Sequence, residues 1–284
     1  MALSKRSHRC LVLLLVSLAL LQLGMAMDSI GGYCSESGTD YNEINGKARR
    51  RSINSVLSDL VAKAGSNGGF ATSSAGKGNN VFYGLAQCRG DVSASDCAAC
   101  LAEAANQTVS FCRYGSDSRL WFDHCFMRYN NANFIGQLDT RADAFSLTIK
   151  THEDIADNPK AFQKAVGKAM GKATAQAAAT AQAAAAVAGS AGLGRVKERY
   201  TPFMSIYGLA QCTRDLAPLP CAQCLSKAVF NLEFDAVSCG AAQGCMTLSS
   251  SCWVRYEIYP FYFPLEAGGR ATIDMTKYTK VVAH

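Results

Sequence analysis

The hexapeptide Tyr83-Gly-Leu-Ala-Gln-Cys88 returns letter for letter as Tyr207-Gly-Leu-Ala-Gln-Cys212. The same cysteine frame follows each copy: Cys88, Cys97 and Cys100 first, then Cys212, Cys221 and Cys224 at identical spacing. A third echo closes each half, Cys125-Phe-Met-Arg-Tyr129 answering Cys252-Trp-Val-Arg-Tyr256. A period of about 124 residues is too long for a solenoid unit and suits a duplicated domain. The chain must therefore fold as two similar bodies, each built round its own cysteines.

The first 26 residues stand apart from this plan. Lys5, Arg6 and Arg9 precede an apolar run from Leu11 to Leu23, and Gly24-Met25-Ala26 supplies the small residues of a cleavage site. The pattern is a secretory signal, shorter than the ~20 apolar residues that a spanning helix needs. No later stretch reaches spanning length, and the C-terminus carries no lipid-anchor signal. Residues 27–284 carry 25 basic and 22 acidic side chains, so the balance of +6 falls to +3 once the signal is removed. That charge, with no Lys/Arg run interleaved with aromatics, gives no footprint for nucleic acid or a membrane surface.

Of 13 cysteines, Cys10 leaves with the signal. Cys34, Cys88, Cys97, Cys100, Cys112 and Cys125 fall in the first half, and Cys212, Cys221, Cys224, Cys239, Cys245 and Cys252 in the second. Even counts in a secreted chain predict disulfides, although six cysteines leave 15 connectivities open. Zinc would need two close pairs about 15–20 residues apart, whereas the two Cys-x2-Cys pairs lie in different halves. A redox pair would need an exposed, low-pKa thiol, and the extra upstream cysteine in each copy favours structural pairing. No cofactor is expected.

Periodicity supplies the elements. Ile53, Val56, Leu57, Leu60, Val61 and Ala64 form one apolar stripe and predict a helix over 47–65, stopped by Gly65-Ser-Asn-Gly-Gly69. Short strands are expected at Phe70–Ser73 and Val81–Cys88. A second helix runs from a Ser95 cap to about Cys112, and Arg119–Tyr129 alternates as closing strands. In the second half Asn158-Pro159 starts a long alanine-rich helix to about Val187. Its distal part, Thr174–Ala188, has few large apolar residues and is expected to project or fray. A strand across Tyr200–Cys212, a helix across Cys221–Phe234 and strands at Thr247-Leu248 and Cys252–Tyr259 complete the order. Each half reads as α+β, two helices on one face of an antiparallel sheet.

Catalytic signatures are missing. Neither Gly-x-Ser-x-Gly nor His-Glu-x-x-His occurs, and His124 beside Cys125 reads as a sheet residue rather than a base. The chain is not expected to be an enzyme. Asn106-Gln-Thr108 is an N-glycosylation acceptor on the second helix.

The frame Cys-x8-Cys-x2-Cys, preceded by Tyr-Gly-Leu-Ala-Gln and closed by Cys-x3-Tyr, resembles the ginkbilobin-like domain of plants. Two such domains behind a signal resemble a cysteine-rich repeat secretory protein. Val254-Arg-Tyr-Glu-Ile-Tyr-Pro-Phe-Tyr262 is also similar to the distal repeat of cysteine-rich receptor-like kinases. The resemblance implies a five-stranded antiparallel sheet with two helices in each domain. The division expected is a signal at 1–26, a first domain at 27–134, a linker at 135–143, a second domain at 144–262 and a tail at 263–284. The implied bridges are Cys34–Cys112, Cys88–Cys97, Cys100–Cys125, Cys212–Cys221 and Cys224–Cys252. Cys239 and Cys245, left over, are paired with each other by inference.

The single-domain relative is an antifungal lectin that holds mannose with three polar residues. Carried over, these positions are Ser35, Arg119 and Asn130 in the first half, and Met246 and Glu257 in the second. Sugar hydroxyls donate and accept, so a guanidinium fork beside acceptors is sensible chemistry, which Met246 cannot join. The resemblance thus implies a mannose-binding, antifungal defence protein of the apoplast, with mannose-containing glycans of a fungal surface as partners. The rival expectation is a sugar-blind module that pairs with receptor ectodomains; a homodimer is a further possible partner.

Overall fold

The computed structural model describes residues 28–35, 43–140, 146–181, 191–233, 239–270 and 272–283. The residues expected as a secretory signal, the end of the stretch 135–143 and the alanine-rich stretch after Ala181 lie outside these residues.

The first half runs β1 (Gly31–Cys34), α1 (Glu43–Ser66), β2 (Phe70–Ala75), β3 (Phe82–Cys88), α2 (Ala94–Cys112), β4 (Asp117–Trp121) and β5 (Cys125–Asn130). Its strands form an antiparallel sheet in the order β1-β4-β5-β3-β2. The second half repeats the order with β6 (Ser146–Thr151), α3 (Pro159–Ala181), β7 (Leu193–Arg199), β8 (Ser205–Cys212), α4 (Pro218–Glu233), β9 (Gly244–Ser249) and β10 (Cys252–Glu257). A last strand, β11 (Tyr278–Ala283), pairs with β6, so the second sheet has six strands in the order β11-β6-β9-β10-β8-β7. The five-stranded expectation therefore holds for the first sheet alone. The residues expected as a tail fold back and extend the second sheet. No helix among the described residues is long and apolar enough to cross a membrane.

The repeated hexapeptide shows why its letters recur. Strand side chains alternate between faces. Gly84 and Ala86 face α1: a Cβ on Gly84 would stand 2.3 Å from Val56 Cγ1. Leu85 and Leu209 face the other way and join one apolar cluster with Trp121, Phe126, Ile149, Met246, Leu248 and Trp253. The two sheets thus pack inner face to inner face, with each pair of helices outside. Trp121 stacks on Phe126 at 4.9 Å between ring centres, and Phe126 meets Trp253 at 6.2 Å across the seam.

The alanine-rich helix is held, not projecting, as far as Ala181. Ala169, Ala173 and Ala177 are fully buried, and a Cβ on Gly194 would fall 1.9 Å from the Ala173 carbonyl oxygen. Small side chains let the α3 backbone lie directly on β7, which large apolar residues would prevent. The strand expected across Tyr200–Cys212 is in fact the second arm of a hairpin. The turn at Tyr200–Met204, closed by Tyr200 N–H donating to the Met204 carbonyl at 3.0 Å, separates β7 from β8.

Six disulfides join Cys34 to Cys112, Cys88 to Cys97, Cys100 to Cys125, Cys212 to Cys221, Cys224 to Cys252 and Cys239 to Cys245. Each lies within one half; five tie helix to sheet and Cys239–Cys245 ties a loop to β9, so these bridges leave the seam between the sheets to non-covalent contacts. Cys97 and Cys100 belong to different bridges.

Candidate functional site: the polar ends of the seam

Hydrogen bonds across the seam are reciprocal. Gln87 Nε2 donates to the Cys212 carbonyl at 2.8 Å, and Gln87 Oε1 accepts from Arg214 N–H at 2.8 Å. In return Gln211 Nε2 donates to the Cys88 carbonyl at 3.4 Å, and its Oε1 accepts from Gly90 N–H at 3.2 Å. Each glutamine, fully buried, thereby satisfies the end of the other half's strand. The same symmetry recurs one step outward. Asp91 accepts from Phe263 N–H at 2.7 Å, while Asp215 accepts from Gly136 N–H at 2.8 Å. Arg128 stacks over Phe134 at 3.9 Å, and Arg255 over Phe261 at 4.2 Å. The start of the 135–143 stretch is therefore a strap, pinned at Gly136 and again at Asp139.

The residues implied for mannose lie on these inner faces. Arg119 is 1% exposed. Its Nε donates to Asp117 Oδ1 at 3.0 Å and its Nη2 to Asp117 Oδ2. Nη1 reaches the Ser250 hydroxyl of the second half and Asp139 at 3.2 Å, and the guanidinium covers the Tyr33 ring at 4.8 Å. No part of this fork points to solvent. Asn130 is buried, its Oδ1 accepting from Ala132 N–H at 2.7 Å. Ser35 is half-buried and shares a 2.7 Å hydrogen bond with Ser116 while accepting from Asp117 N–H. Strand pairing brings Ser35, Asp117 and Asn130 side by side, with Arg119 two residues along. Three of the carried-over positions thus do meet, under the second half. Glu257 lies at the other end of the seam, and Met246 is in the apolar cluster. The expectation of an open polar patch is corrected: a lone domain would leave this face in solvent, whereas here the second sheet, with Ser250 and Asp139, covers it.

Sequence reading missed the other end of the seam. Asp123, in the turn before β5, receives Arg89 Nη1 and Arg255 Nη1, each at 3.0 Å, and accepts Ile273 N–H at 2.9 Å. Burial alone would push its carboxyl up. Arg255 and Arg89, helped by His124 and that N–H, outweigh burial and hold it below the usual carboxylate range. Glu257 accepts from Arg255 Nε at 2.9 Å and from the Tyr278 hydroxyl of β11. It is fully buried, and burial dominates, raising its carboxyl above the ordinary value despite Arg255. Arg214 packs over Phe70 at 5.0 Å and donates to the Gly68 carbonyl; burial lowers its guanidinium to about 10. His124 is buried edge-on to Phe263 at 6.0 Å. Asn106 is exposed on α2, with Thr108 buried beneath it.

This architecture has known counterparts. The chain is 40% identical to cysteine-rich repeat secretory protein 55 of Arabidopsis thaliana, over 88% of this chain and 89% of that one. It is 32% identical to the antimicrobial ginkbilobin-2-like protein of Castanea crenata, over 74% and 80%. The crystal structure of the tandem DUF26 ectodomain of an Arabidopsis thaliana cysteine-rich receptor-like protein covers 82% of this chain and 98% of its own. That match has a TM-score of 0.64 at 24% identity and shows the shared fold. The salt stress response/antifungal family matches residues 33–132 and again 149–259, and the chain belongs to that family as a two-copy member.

Proposed function

We propose that the protein is a secreted, non-enzymatic recognition module of stress or antifungal defence, whose two domains act as one rigid body. It does not read mannose through Arg119, Asn130 and Glu257. The observation that carries this reading is the burial of all three within the seam, with every Arg119 nitrogen engaged inside the protein. The N-terminal signal pattern and relatives named secretory and antimicrobial support an extracellular role. The fold shared with a receptor-like ectodomain supports recognition through outer surfaces, receptor ectodomains included.

One observation favours the mannose reading: Ser35 stays half-exposed at the rim of its cluster. A mannan column separates the two. The protein is expected to pass through unretained, while Arg119→Gln lowers thermal stability. Retention competed by free mannose and abolished in a folded Arg119→Gln variant would overturn the proposal.

A further inference from the structure

Helix α3 carries Lys160, Lys164, Lys168 and Lys172 and has no acidic residue along its length. All four lysines are exposed. Spacing by four residues places successive ammonium groups about 6 Å apart along the axis, on a ridge that winds slowly round the helix. Only Lys172 has an acidic partner among the described residues, Glu198. Residues 27–284 have a balance of +3, and this helix alone contributes +4. Helix α1 also carries a basic run, Lys47, Arg49, Arg50 and Arg51, but Arg49 and Arg50 there lie over the Phe82 and Tyr114 rings and the helix includes Glu43 and Asp59, whereas α3 has four evenly spaced lysines and no acid. Like charges four apart destabilise a helix, and a face needing only solubility would intersperse glutamate.

A groove of about 430 Å³ adjoins the ridge. Lys160, Gln163 and Lys164 form one wall, and Leu232, Gly240 and Tyr256 the other. The side chains exposed on the ridge are polar. Gly167 and Gly171 sit between the lysines, and the large apolar side chains of this stretch, Phe162, Val166 and Met170, are buried on the inner side of the helix. A protein hot spot needs such an anchor, and a membrane-bound helix needs apolar residues to insert. Lysine offers compact, mobile charges rather than a planar fork, which suits carboxylates repeated along a chain.

We infer that the outer face of α3 is a docking surface for an extended, carboxylate-bearing polysaccharide. The ammonium groups track its carboxylates and the groove takes one of its sugar rings. The inference rests on the extracellular recognition role proposed above and names the surface that performs it.

The probes are immobilised polygalacturonate, neutral mannan, polyglutamate and vesicles rich in anionic lipid. The protein is expected to bind polygalacturonate at low salt, release as salt screens the pairs, and bind the other three more weakly. Replacing all four residues (Lys160→Gln, Lys164→Gln, Lys168→Gln, Lys172→Gln) is expected to weaken binding about tenfold or more. Glutamine and lysine have similar helix propensity, so α3 is expected to persist. A scattered control with equal charge loss (Lys47→Gln, Lys77→Gln, Lys227→Gln, Lys280→Gln) is expected to bind as the parent does. In the unaltered protein, polygalacturonate is expected to shield Lys160, Lys164 and Lys168 from amine acetylation, a readout independent of any variant. Equal weakening by both quadruple variants, unshielded lysines, or equal binding to polyglutamate or vesicles would overturn the inference. So would loss of binding on Phe203→Ser alone, since Phe203 is a fully exposed apolar side chain at the neighbouring hairpin tip. Failure here leaves the mannan result untouched, so the two proposals fall separately.

Discussion

Gln87 and Gln211 show how one residue type, repeated in register, joins two domains. Each amide spends both its donor and its acceptor on the other half's backbone. Gln87→Ala is expected to strand the Cys212 carbonyl and Arg214 N–H, costing about 1–3 kcal/mol by chemical denaturation. Gln211→Ala should cost a comparable amount. Asp123 is the ionic counterpart. Asp123→Asn removes the charge between Arg89 and Arg255 and is expected to cost about 3–5 kcal/mol near neutral pH. Because the folded carboxyl sits below its ordinary value, its contribution is fully present above the normal carboxylate pKa. It is lost as the pH falls through the lowered folded value. Melting curves of Asp123→Asn should therefore depend less on pH in the acid range than those of the parent. Nothing in the sequence marks Asp123 for this task, since a turn aspartate has an ordinary solvated reading and its partners lie 34 and 132 residues away.

At the scale of elements, the helices were the most legible part. The stripe from Ile53 to Ala64 is buried along one face of α1 as its period requires, with Val61 only partly so. Which helix each bridge ties to which strand was implied by the resemblance to ginkbilobin-like domains, not by the cysteine spacing. The distal part of the alanine-rich helix was misread because apolar periodicity looks for large side chains, while α3 beyond Met170 packs through Ala173 and Ala177. That reading makes a testable contrast. Gly194→Ala forces a methyl group into the Ala173 carbonyl and is expected to destabilise by about 1–3 kcal/mol or more. Gly65→Ala, with open space at its Cβ near the end of α1, is expected to be neutral or slightly stabilising. The strand β11 was illegible for a different reason: a short run after a Gly-rich stretch has no local mark, and its pairing with β6 is set by the sheet it joins. Tyr278→Phe deletes the hydroxyl that Glu257 receives and is expected to cost about 1–2 kcal/mol in thermal denaturation.

The whole molecule depends on what covers the inner faces. Alternation along β4 and β5 told the two sides of each strand apart. It could not say that Arg119, Arg128, Trp121 and Phe126, a mixed polar and apolar face, would be closed by a second copy of itself. A face half charged and half aromatic reads equally as an open binding site or as an interface. The deciding contacts, Ser250 and Asp139 on Arg119, come from residues that no local pattern singles out. Two domains sharing one apolar layer are expected to unfold together, whereas tandem domains on a loose linker would unfold apart. The chain has two tryptophans, Trp121 in the first domain and Trp253 in the second, both on the shared layer. Guanidinium titrations of Trp121→Phe and Trp253→Phe, each followed by its remaining tryptophan and by circular dichroism, therefore address the seam directly. A single cooperative unit requires that within each variant both probes share one midpoint, and that Gln87→Ala lowers it for either tryptophan. Two separate transitions, or a Gln87→Ala shift confined to the Trp121 signal, would contradict it.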